Sequence, residues 1–346
     1  MAFEDTLRSV AFSIARFSGF TANAVLFGLV VVLWLVIRPA VAGLSPEWGG
    51  GRQRLAHRLE GIVQAALTAS ALATALVLVL QAALIAELGG GDLTPESFGS
   101  VVSTTFGQWY LVRIPLLAAL AFLLVGRVRT MALTPFDGSG GAVWWMSWGG
   151  LALALIATTA FSGHAAVARP RGPALLNDLI HLGSGAVWFT GIVLIAIVVP
   201  DVWRGRPPVE RLAVLAPVVR RFAWVALVSL TIVTVTGTLN SFFHVGRLRD
   251  LISTNYGRTL GIKIALFAVI LALGAVNHFI IRRRFEAGLA RGEPSGAQRI
   301  FRRTIASELA VGLAVMALTG VLTGLARTRQ TPPPPPPGAF SSGSRP

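Results

Sequence analysis

Long apolar runs alternate with short arginine-bearing connectors along almost the whole chain. Eight runs approach the roughly 20 residues that carry a helix across the hydrocarbon layer. They fall at 19–37, 62–86, 110–126, 143–163, 174–199, 219–240, 259–281 and 304–325. Lipid offers the backbone no hydrogen-bonding partner, so each run is predicted to be a helix that satisfies its own amides. The pattern predicts an all-α fold, a polytopic membrane helix bundle with about eight transmembrane helices.

The flanks differ from the runs. Phe3, Leu7, Val10, Ile14 and Phe17 recur at helical spacing, which predicts an amphipathic helix over 1–18 lying on the membrane surface. The membrane domain then occupies 19–326. Residues 327–346 contain "TPPPPPPGAFSSGSRP", predicted to be an extended, disordered tail. Ala40 to Ala42 offers an A-x-A-like cleavage site after the first run. That run is longer than the ~7–15 apolar residues of a signal peptide, and Arg38 and Pro39 intervene, so a retained span is expected.

Composition supports the membrane reading. Hydrophobic residues make up 54% of the 346 and charged residues 13%, against about 25% in soluble domains. The net charge of +15 would suit nucleic acid, but the arginines cluster in the connectors, where topology signals belong. We therefore expect no nucleic-acid partner, and contact with anionic lipid headgroups instead. The connectors after the first, third, fifth and seventh runs hold the larger share of arginine, and connector 87–109 holds none. This places the rich side in the cytoplasm and both termini on the extracytoplasmic side. The expected location is the bacterial cytoplasmic (inner) membrane.

There is no cysteine, and there are only four methionines, so a metal site must rely on histidine, carboxylate, amide or backbone oxygen. An ionisable side chain inside a bilayer is a functional candidate by default. His164 ends the fourth run, His181 lies about two turns into the fifth, and His244 follows the sixth. All three are expected at the extracytoplasmic rim, as metal ligands. Asn177 and Asp178 precede His181 by one turn, which suits a carboxylate that orients an imidazole. Trp188 is a further supporting residue, either walling the site or anchoring at the interface as Trp109, Trp144 and Trp145 are expected to do. His57 is expected to be solvated, and His278 to make a structural hydrogen bond. Lys263 is expected to pair with Glu87 or Asp178 or to reach the headgroups. Arg302 or Arg303 should neutralise Glu308. Gly320 and Gly324 allow close helix approach.

No phosphate-binding loop, nucleophile elbow or H-E-x-x-H motif is present. The chain is read as a non-enzyme.

The run "GHAA…LLNDLIHLGSGAVWFTGIVL", with Gly163, His164, His181, Trp188 and Gly191, resembles the copper resistance D (CopD) family of bacterial inner-membrane proteins. "STTFGQWYLVRIPLL", "RRFAWVALVSLTIVTVTGTLNSF" and "LISTNYGRTLGIKIALFAVILALGAVNHF" are similar to the same family. The likeness runs over about 60–325 and is best matched over 143–325. It implies copper handling at the cytoplasmic membrane, with His164 and His181 as candidate ligands; His244 rests on topology alone. The scarcity of Met and Cys departs from a soft-ligand path for Cu(I).

The expected function is binding of a copper ion and its transport across the membrane, in copper uptake, homeostasis or resistance. A separate extracytoplasmic carrier protein is an expected partner. Alternatives are a b-type haem electron-transfer protein with axial histidines, and a non-transporting membrane partner of a copper carrier.

Overall fold

Each predicted apolar run is a helix. The computed structural model describes residues 2–41, 49–124, 139–163, 170–202, 207–244, 249–291 and 297–325. Helix α1 spans Ala2–Val32 and continues through a π turn, Leu33–Ile37, into a last helical turn, Arg38–Val41. Then follow α2 (Gly49–Leu88), α3 (Pro95–Val102), α4 (Thr105–Leu124), α5 (Ser139–Ser162), α6 (Arg171–Val202) and α7 (Pro208–His244). The remainder is α8 (Asp250–Ser253), α9 (Asn255–Val276), a π turn at Asn277–Ile281, α10 (Arg282–Arg291) and α11 (Ala297–Leu322). No strand occurs among the described residues. Eight helices are long and apolar enough to cross a membrane: Thr6–Ala40, Gln53–Leu88, Thr105–Leu124, Gly141–Ser162, Arg171–Ile197, Leu215–Phe242, Asn255–Ile280 and Ile300–Leu322. The chain is an all-α, multi-pass membrane protein.

The segment expected to lie on the surface is joined to the first span without a break, because α1 runs from Ala2. Ala15 and Gly19 are already buried in it. The Pro-rich tail lies outside the described residues.

Consecutive spans run antiparallel, and polar contacts join them near their ends. At the end that carries Thr6 and Leu322, the upper end, Arg8 pairs with Glu87. There a Cβ at Gly320 would come 2.7 Å from the Ser13 carbonyl oxygen, the close approach expected of that glycine.

Two corners at the upper end share one construction. Ser103, Thr104, Thr105, Phe106 and Gly107 lead into α4, and Ser253, Thr254, Asn255, Tyr256 and Gly257 lead into α9. In both, the threonine Oγ1 caps the helix by accepting from the glycine amide at 3.0 Å. In both, a Cβ on the glycine would collide with a carbonyl, that of Val101 or Asp250. Arg113 and Lys263 stand at the same distance beyond these glycines.

The same correspondence appears where α1 crosses α6. Thr190 Oγ1 donates to the Ala24 carbonyl at 2.9 Å, and a Cβ on Gly28 would collide with the Ala186 carbonyl and with Thr190. Gly28 follows Ala24 by one turn as Thr190 follows Ala186, so the contact is reciprocal, as across a two-fold axis. α1 and α6 pack against one another at this crossing.

The core gathers on this crossing. Leu26, Leu29, Phe189 and Ile192 are fully buried there. Trp144, Trp145 and Trp148 were expected at the interface or left unassigned, yet all are buried on α5. Trp148 Nε1 donates to the Leu26 carbonyl at 3.1 Å and Trp144 Nε1 to the Leu123 carbonyl at 3.0 Å. A satisfied indole N–H removes the reason for the ring to stay at the interface.

Candidate metal site

The first turns of α6 lie against the last turns of α7, and the polar residues of this seam form one network. His181 Nδ1 and Thr236 Oγ1 are 3.0 Å apart. The Thr236 hydroxyl donates its proton to the Ile232 carbonyl at 2.6 Å. Its oxygen can then only accept from His181, so Nδ1 carries the proton and Nε2 keeps its lone pair. A neutral imidazole with an unprotonated Nε2 is what a transition metal requires.

Around the ring, Asn177 Nδ2 donates to the Thr236 carbonyl at 3.0 Å and to Asn240 Oδ1 at 2.8 Å. Asn240 Nδ2 donates in turn to Asp178 Oδ1 at 3.3 Å. Gly237 makes room for the ring, since a Cβ there would lie 3.2 Å from His181 Cε1. Lys263, on α9, interacts electrostatically with both Asp178 and His181. Glu87, its other expected partner, is held by Arg8.

The structure brings Asn177, Asp178 and His181 together. His164 lies outside the described residues; Gly163, just before it, ends α5 at the upper end. His244 is the last residue of α7, one turn beyond Asn240, and its side chain lies outside the described residues. Among the described residues no group of three or more His, Cys, Asp or Glu side chains could hold a metal. Trp188 is buried further along α6, its ring against Gly312 of α11.

Other membrane-embedded polar groups sit apart from this seam. Arg113 is 3% exposed: Nε donates to Thr158 Oγ1 at 2.9 Å, NH2 to Thr159 Oγ1 at 3.2 Å, and the guanidinium lies 3.8 Å from the Tyr110 ring centroid. Ser70 Oγ donates to Asn23 Oδ1 at 2.6 Å between α2 and α1. Glu308 meets Asn277, whose Nδ2 donates to Oε1 at 2.5 Å, while Arg302 and Arg303 are exposed. The arginines precede Glu308 by five and six residues and so project from other faces of α11. His278 makes no structural hydrogen bond through Nδ1, which is buried without a partner; the ring meets Trp224 and Phe279 edge-on. His57 is exposed, as expected.

Thr236 and Gly237 were not singled out from the sequence. Their signal is the repeat of Thr236 and Asn240 one turn apart on an apolar helix, facing the Asn177–His181 turn of α6.

Sequence comparisons agree with this architecture. The family model described as "Copper resistance protein D-like, N-terminal domain" matches residues 6–169, and that described as "Copper resistance protein D" matches 216–322. The His181 seam straddles the second boundary, with α6 in neither matched region. "Copper transport protein CutJ" of Bacillus subtilis (strain 168) is 29% identical over 280 residues, which is 80% of this chain. The chain spans 47% of that relative's length. "Copper resistance protein D" of Pseudomonas syringae pv. tomato is 28% identical over 310 residues, covering 85% of this chain and 93% of the relative. No solved structure matches. With residues 6–169 and 216–322 matched to its two models, the chain belongs to the copper resistance protein D family.

Proposed function

We propose that this protein serves copper homeostasis by binding a copper ion at the upper end of the bundle and carrying it across the bacterial inner membrane. The observation that carries this reading is the His181 ring, whose Nδ1–H is committed to Thr236 so that Nε2 keeps the lone pair a metal needs. His164 and His244 are the proposed further ligands. The backbone supports this, since Gly163 ends α5 at the same end of the bundle and His244 ends α7 one turn past Asn240. Asp178 supplies negative charge beside the cation, and Lys263 opposes it. The names of the two relatives point to the same cargo.

The upper end is proposed to be extracytoplasmic, where a carrier protein would deliver the ion. The arginine-rich connectors at the other end support this orientation. Binding and transport need no catalytic residue, and the chain is read as a non-enzyme.

The test is metal analysis of purified protein beside His164→Ala, His181→Ala and His244→Ala. Copper in the wild type and its loss in the variants is the expected result. Equal copper in all four removes the site. A reducible haem spectrum in the wild type replaces it with the haem reading.

A further inference from the structure

Glu308 is the only buried carboxylate among the described residues, at 3% exposure, and the upper site does not use it. It lies about 12 Å along α11 from Ile300, the lower end of that span. Its recorded partner is neutral: Asn277 Nδ2 donates to Oε1 at 2.5 Å. Asn277 is aimed by Thr304, whose Oγ1 donates to Asn277 Oδ1 at 2.7 Å and thereby fixes which end of the amide faces the carboxyl group. Asn277 also opens the π turn at Asn277–Ile281, a local widening of the helix that often accompanies functional sites. Three side chains from two helices are thus arranged to present one N–H to one carboxyl oxygen.

A carboxylate buried in an apolar bundle with no cation beside it is strongly disfavoured, whereas a carboxyl group that carries its proton is not. Among the described residues no charged side chain pairs with Glu308. Arg302, Arg303, Arg283 and Arg284 are exposed, and His278 turns its ring to Trp224 and Phe279. Arg16, Asp178, His181, Arg258 and Lys263 belong to the upper ends of their helices.

We propose that Glu308 is an intramembrane proton site, protonated when the path is empty and deprotonated when a cation passes. The proposal rests on the transport reading and adds a driving force to it. The O–H bond of Glu308 breaks as the positive charge arrives, and one proton leaves towards the Asn277 end for each unit of charge neutralised. When the cation departs, the carboxylate takes a proton back from water. No electron moves. Trp188 lies between the two sites: it is seven residues along α6 from His181, and its ring covers Gly312, one turn from Glu308 on α11.

Two measurements on the full chain test this. Infrared difference spectra of copper-free protein taken across a pH titration should show a protonated carboxyl band that Glu308→Gln abolishes. A wild type with no such band, or a variant that keeps it, overturns the proposal. In proteoliposomes loaded with a pH-sensitive dye, copper added to the wild type should produce a proton signal along with uptake. Glu308→Gln should lose the proton signal and slow uptake at least tenfold, while its copper content at equilibrium stays that of the wild type. Unchanged proton signal and uptake in the variant overturn the proposal. A wild type that shows the carboxyl band but takes up no copper overturns the transport reading and leaves the proton site standing.

Discussion

Thr236 accepts from the Nδ1–H of His181 and hands its own proton to Ile232, one turn back on α7. One hydroxyl therefore sets both the tautomer and the tilt of the imidazole. Thr236→Val keeps the shape and removes the acceptor. Copper affinity should fall about 10–100-fold, the usual cost of losing a partner that orients a ligand. Thr236→Ser should restore it. Competition titration with a copper chelator reads both.

Copper binding should also depend on pH, because Nε2 must be unprotonated to ligate. Affinity falls as pH drops through the imidazole range, by about tenfold per pH unit for each histidine that must lose a proton. The limiting slope therefore counts the protons released on binding. A pH-independent affinity would mean that no ligand has to lose a proton to bind.

Arg113 is held by two threonines and a phenol ring rather than by a carboxylate. Thr158→Val leaves Nε without an acceptor and should cost about 1–3 kcal/mol. Arg113→Lys should not be neutral either, since an ammonium cannot reach both hydroxyls in the plane of a guanidinium. Thermal unfolding in detergent measures both.

Gly28 has no room for a methyl group, because the atoms it would meet include the backbone oxygen of Ala186. Gly28→Ala should destabilise the bundle by about 1–3 kcal/mol through forced separation of α1 and α6. Gly61, beside which a Cβ meets nothing within 4 Å, is the control, and Gly61→Ala should be nearly silent.

The cap of α3 carries a pH dependence of its own. The Glu96 carboxyl is held below its usual range by its own backbone amide and by Thr94. Its contribution is present above the ordinary carboxylate range and disappears as pH falls through the lowered one. Protection factors of the Ser97 and Phe98 amides should fall on acidification, and Thr94→Ala should lower them at neutral pH.

Much of the fold was legible because hydrocarbon thickness dictates run length, and run length is written in the sequence. The eight helices lie where the apolar runs predict, with ends displaced by helical connectors such as residues 49–61 of α2. Less legible was which polar residue meets which. Glu308 finds Asn277 across two helices rather than the nearby arginines, because facing is set by helix rotation and not by sequence distance. The buried tryptophans misled for the same reason: a backbone carbonyl that satisfies an indole is invisible until the helices are packed. The Thr104–Gly107 and Thr254–Gly257 corners were present in the sequence as a repeated Ser-Thr-x-x-Gly, and only the matching hydrogen bonds identify them as equivalent.

The reciprocal crossing at Gly28 and Thr190 joins residues that leave the ribosome far apart in time. When the first span enters the membrane, the face around Ala24 and Gly28 has nothing to close on. It must wait in lipid, or against the insertion machinery, while three further spans are synthesised. Only then does Thr190 arrive to complete the seam. The late fifth span, α6, is therefore the keystone of assembly.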